Sequence, residues 1–76
     1  MMQIDNEIDT SGLNCPLPIL KAKKALNDMS SGQVLKVIAT DPGSWRDFEA
    51  FARQTGNELV LQEKTETHFV FGLKRR

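Results

Sequence analysis

One cysteine in 76 residues means no internal disulfide and no set of thiolates to hold a metal. Zinc-ribbon and dithiol redox chemistry are therefore excluded, which leaves a single nucleophilic or carrier thiol, or an inert buried cysteine. Nor is there a surplus of charge. Ten basic and ten acidic side chains cancel and are interspersed, so no bulk electrostatic attraction draws the chain directly to nucleic acid or a membrane surface. No apolar run approaches the roughly 20 residues a bilayer span needs, and no charged start followed by an apolar core marks a leader. A cytoplasmic protein is expected, consistent with a free thiol. The single histidine, His68, falls on a strand remote from the first turn, so a Cys–His hydrolytic pair has little to build on. The length allows one domain, residues 1–76, and leaves no room for a second that would hold a large cofactor. Neither a cofactor nor a metal is expected, and nothing demands more than a monomer.

What is present reads as β-α-β-α-β-β. A first strand over residues 3–9 carries Ile4 and Ile8 and ends at Thr10-Ser11-Gly12. Over residues 16–29, Ile19, Ala22, Leu26 and Met29 recur at helical spacing and define one core-facing stripe, closed by Ser30-Ser31-Gly32. Residues 34–40 are β-branched and nearly all apolar, as befits a central strand. After Asp41-Pro42-Gly43 a second helix runs to about Gln54, with Trp45, Phe48, Phe51 and Ala52 inward and Thr55-Gly56-Asn57 as its stop. Residues 58–64 and 67–74 form an antiparallel hairpin in which Phe69, Phe71 and Leu73 alternate with His68, Val70 and Gly72. The fold class is an α/β (α+β) two-layer sandwich: a four-stranded mixed sheet, both helices on one face, the other face partly exposed.

Cys15 stands in Cys15-Pro16-Leu17-Pro18, where the first helix opens. Pro16 suits the first helical position, which makes Cys15 the N-cap and puts its sulfur at the positive end of the helix dipole. Such a position favours thiolate and lowers the pKa below its ordinary value of about 8.5, although Pro18 removes an early N–H and weakens the effect. The prolines also restrict Cys15 and Leu17, stiffening the turn and presenting the sulfur outward. Against this stands the plain reading, in which a small residue is buried and two prolines start a helix. The same helix turns Leu17, Leu20, Lys21 and Lys24 toward solvent beside the cysteine, as a docking patch for an acidic protein or as an ordinary solvated face. Asp41 falls at the same sheet edge as the cysteine turn; it either orients that turn or caps the second helix with Pro42 as first residue. Ser44 with Asp47 offers a second capping arrangement. Trp45 and the phenylalanines read as core, and Lys74-Arg75-Arg76 as a short basic tail.

Gly12-Leu13-Asn14-Cys15-Pro16-Leu17-Pro18 matches a Gly-Leu-x-Cys-Pro-x-Pro signature, and on it the chain resembles the TusA-like (SirA-like) sulfur-carrier family over nearly its whole length. Asp9, Asp41-Pro42 and Arg46-Asp47 stand where that family has them; Trp45 and Asn57 depart from it. The resemblance implies that Cys15 takes a sulfane sulfur as a persulfide from a donor protein, a cysteine desulfurase or rhodanese-like protein, and passes it to an acceptor cysteine. It places the protein in tRNA thiolation, cofactor synthesis or sulfur oxidation, reacting stoichiometrically with partner enzymes and without direct nucleic-acid contact. Gly12, Pro16, Pro18 and Asp41, or Asp47, would shape the site; Leu17, Leu20, Lys21 and Lys24 would meet the partner. The lack of a resolving cysteine suits this role, because a nearby second thiol would discharge the persulfide internally. Two rivals stand beside it: a protein-binding or regulatory module with a vestigial Cys15, and a single-thiol redox sensor.

Overall fold

In the computed structural model, which describes residues 3–76, the elements follow in the expected order. They are β1 (Asn6–Thr10), α1 (Leu17–Asn27), β2 (Val34–Ala39), α2 (Ser44–Thr55), β3 (Glu58–Lys64) and β4 (Phe69–Lys74). The sheet runs β1-β2-β4-β3, with β1 parallel to β2 and β4 antiparallel to both of its neighbours. Because β1 and β2 are parallel neighbours, the turns that leave them emerge side by side, with Thr10 opposite Ala39 in register.

Strand alternation sends Leu35, Val37 and Ala39 of β2 and Phe71 and Leu73 of β4 into one core with Ala22 and Leu26 of α1 and Phe48 and Phe51 of α2. Both helices thus cover the same sheet face. Phe48 stacks on Phe71 with ring centroids 4.5 Å apart, and Trp45, Ile19, Met29 and Ala52 pack around this centre partly buried. On the open face, Ile38, Val70 and Leu61 are half-buried only. A bulge between Leu59 and Leu61 lets β3 follow the sheet twist; Gly72 opposite has no room for a side chain, since a methyl there would lie 2.9 Å from Leu61 Cβ.

Several boundaries differ from the sequence reading. β1 begins at Asn6, three residues later than residues 3–9 suggest, because pairing with β2 starts at Leu35. Pro16 is the N-cap of α1, and Leu17 its first residue, so Cys15 lies one position outside the helix and not at the cap. Helix α2 likewise starts at Ser44, behind a Gly43 cap with no side-chain capping bond. Asp41 therefore does not cap α2 through its side chain, and its backbone carbonyl takes the Ser44 N–H instead at 3.0 Å. Ser44 does not cap either; it is buried inside the first turn, and its hydroxyl has no partner among the described residues. The stop at Gly56 is as expected: a left-handed residue at φ 81° whose N–H reaches the Ala52 carbonyl.

Candidate functional site

Two consecutive turns build the cysteine's position. In the first, Leu13 N–H returns to the Thr10 carbonyl at 3.1 Å, with Gly12 at φ 82° in the place where a type II turn needs positive φ. Gly12 also donates its N–H to Thr40 Oγ1 at 2.8 Å, which ties this turn to the end of β2. In the second, Leu17 N–H bonds the Asn14 carbonyl at 2.9 Å, so Cys15 and Pro16 are the two central residues of the bend. Cys15 is exposed at the apex, while Pro18 just behind it is buried and anchors the turn to the core. The expectation that the sulfur is presented outward holds, with Pro16 at the cap, just outside the helix, and Pro18 in its first turn.

The second carboxyl edge turn supplies the surroundings. Asp41 and Asp47 both reach toward Gly43: a methyl built on Gly43 would lie 3.1 Å from Asp41 Oδ2 and 3.6 Å from Asp47 Oδ2. The Asp47 carboxylate, as an acceptor for the thiol proton, is the largest influence on the Cys15 sulfur, followed by partial desolvation and then by the charges of Asp47 and Asp41, and together they raise the thiol pKa above its ordinary value. This reverses the lowering expected from the helix dipole. The reason is local: Leu17 spends its N–H on Asn14, and neither Pro16 nor Pro18 has one, so little of the helix's positive end faces the sulfur. Asp47 of α2, with Asp41 of the turn before it, decides the sign.

The charge of Asp41 acts on the Cys15 thiol, and Asp47, weighed in the sequence only as a cap partner or site-shaper, acts on it more strongly. Gly43 was not legible as a site residue; its signal is steric, since it leaves space for two carboxylates. Leu17 and Leu20 are exposed, at 45% and 53%. Lys21 and Lys24 line a shallow concavity with Asn6 and Ile8 over β1, on the flank away from the aspartates. His68 lies immediately before β4 and not on it, and its hydrogen bonds go to Thr65 and Thr67. The Asp9 carboxyl is held below its ordinary pKa first by the Ser11 side chain and then by the Ser11 backbone N–H, which donates to Asp9 Oδ1 at 2.9 Å. Among the described residues no cluster of His, Cys, Asp and Glu has the makings of a metal site, and no helix is long and apolar enough to cross a membrane.

Comparison with known proteins agrees with this geometry. The family model described as Sulfurtransferase TusA matches residues 6–75. The chain belongs to the TusA family. A sulfur carrier protein TusA of Allochromatium vinosum is 64% identical over 75 residues, covering 99% of both chains. One of Pseudomonas syringae is 36% identical over 75 residues, 99% of this chain and 89% of the relative. Among solved structures, the SirA-like protein from Desulfitobacterium hafniense superposes with a TM-score of 0.79 at 27% identity, covering 91% of this chain and 95% of that one. The fold and the family assignment of this TusA-type chain therefore rest on full-length similarity and not on the cysteine motif alone.

Proposed function

We propose that this protein carries sulfur between proteins as a persulfide on Cys15, with Asp47 holding the thiol proton between cycles. The observation that supports it most is an exposed lone thiol in the bend that the Leu17 N–H closes onto the Asn14 carbonyl, in a chain of the TusA family. In loading, the Cys15 thiol gives up its proton, and the sulfur attacks the terminal sulfur of a donor persulfide; a new S–S bond forms on Cys15 and the donor cysteine leaves as thiolate. In delivery, the acceptor thiolate attacks the terminal sulfur held on Cys15, the S–S bond breaks, and Cys15 leaves as a thiolate that regains a proton beside Asp47. No external oxidant is consumed in either step, since the sulfane sulfur and its oxidation level pass intact.

A resting thiol suits this traffic. Raised above its ordinary pKa, it resists adventitious peroxide, which acts on thiolates; the same feature disfavours the redox-sensor reading, because sensor cysteines have low pKa values. Gly12, Pro16, Pro18 and Asp41 keep the turn in place. Leu17 and Leu20, exposed beside the sulfur, with Lys21 and Lys24 further along the helix, form the surface that meets a protein partner. The donor is a cysteine desulfurase or a rhodanese-like protein, the acceptor a protein cysteine, and the setting the cytoplasm.

The test is intact-protein mass spectrometry of wild type and Cys15→Ala after incubation with a cysteine desulfurase and cysteine, with and without reductant. A gain of one sulfur atom, on wild type only and reversed by reductant, is the expected result. A Cys15 that is open to alkylation yet never gains sulfur from the desulfurase or from polysulfide would refute the carrier role.

A further inference from the structure

Beside Gly43, at the turn that carries Asp41 toward Asp47, lies a groove of about 380 Å³ lined by Pro42, Gly43, Trp45, Arg46, Lys64 and Phe69. Its inner side is aromatic. The Trp45 ring sits 6.0 Å from Phe69 and 6.2 Å from Phe71, tilted against both, and is half-buried. Its rim is cationic: Arg46 and Lys64 are exposed, and the one ion pair among the described residues joins Lys36 to Glu7, so neither has a carboxylate partner. Its end is the site itself, because Gly43 lines the groove and also lies against Asp41 and Asp47.

We infer that this groove receives an acidic, apolar-anchored segment of the partner protein that flanks the partner's reactive cysteine. This rests on the sulfur-carrier reading. A partner cysteine brought to the Cys15 sulfur carries its neighbouring residues across Pro42 and Gly43, and those residues meet aromatic surface between two uncompensated cations. One apolar side chain covers the Trp45–Phe69 edge, and carboxylates meet Arg46 and Lys64. Nucleic acid fits less well. Trp45 is tilted onto two neighbours and offers no free ring pair for base stacking, and a phosphate backbone continuing toward the thiol would run into Asp41 and Asp47.

Trp45 is the only tryptophan, so its fluorescence reads the groove directly. The probes are a pentapeptide of sequence Glu-Glu-Phe-Gly-Cys and its counterpart with both glutamates replaced by lysine. Binding is followed by Trp45 fluorescence, and sulfur transfer by mass from protein loaded with polysulfide, its persulfide content measured first. At low salt the acidic peptide is expected to perturb Trp45 and to take sulfur about tenfold faster than the basic one, a preference that shrinks toward unity near 0.5 M salt. In R46E/K64E, checked for folding by circular dichroism, the preference should vanish or invert. Equal behaviour of the two peptides, a preference that survives in R46E/K64E, or an oligonucleotide perturbing Trp45 more strongly than the acidic peptide would each overturn the inference. Failure of polysulfide to load Cys15 would count against the carrier chemistry instead, and the fluorescence titration would still decide the groove.

Discussion

Replacing Phe48 by alanine should bring this protein close to its unfolding limit while leaving every site residue in place. Phe48 is fully buried, stacked on Phe71 at 4.5 Å and set edge-on to Phe51 at 6.3 Å, so its ring is the bridge between α2 and the sheet. Core Phe→Ala substitutions cost about 3–5 kcal/mol, and loss of the stacked pair favours the upper half of that range. Domains of this size hold about 4–11 kcal/mol in total, at roughly 0.05–0.15 kcal/mol per residue. The variant therefore loses at least a third of its stability, and its Tm falls by about 15–40 °C. Urea denaturation followed by both Trp45 fluorescence and far-ultraviolet circular dichroism measures this, with coincident transitions as the check on two-state behaviour. Phe48→Leu, which retains most of the apolar volume, should lose only about 1–2 kcal/mol and leave the alkylation rate of Cys15 unchanged, because α2 still carries Asp47 to the sulfur. A loss below about 1.5 kcal/mol in Phe48→Ala would refute the claim that the Phe48–Phe71 contact holds the two layers together.

Asp47→Asn should move the pH–rate profile of Cys15 alkylation to lower pH and speed the reaction at neutral pH, since it removes the carboxylate that raises the thiol pKa; an unmoved profile would show that Asp47 does not govern the thiol. The sign carries over to stability: a thiol pKa raised by folding favours the folded state below the unfolded value, and that contribution is lost as pH rises through the folded one. At Asp9, held low by Ser11, the sign is opposite, and its contribution fades as pH falls through the folded value; Asp9→Asn should flatten the acid limb of a pH–stability curve. Gly56→Ala should cost about 1–2 kcal/mol, because φ is 81° and alanine pays for the left-handed region there, while Gly56→Asn should cost less. Reversing charge at Lys21 and Lys24 together should slow sulfur transfer to a protein partner and leave persulfide loading by polysulfide intact, as read by mass.

Much of the site was legible because its parts are local. The Cys-Pro-x-Pro segment, the Gly12 turn and the exposure of Leu17 and Leu20 depend on backbone geometry and helical period, which a few neighbouring residues set. Asp41 was placed near Cys15 by a topological step alone, that turns following parallel strands share a sheet edge, and β1 and β2 are indeed parallel neighbours. Gly43 escaped because a glycine that makes space for two carboxylates looks in the sequence like any turn glycine.

The sequence by itself determined the element order, the inward faces of both helices, the alternation of Phe69, Phe71 and Leu73, and a lone thiol presented by a proline-bearing turn. Those follow from periodicity, turn chemistry and residue type, all of which act over a few residues. Tertiary structure alone decided the direction in which the pKa of that thiol moves. The helix dipole is a local property and argued for thiolate, but ionisation answers to every charge within a few ångströms, and the strand order brings Asp47 and Asp41 there from more than twenty residues away in the chain.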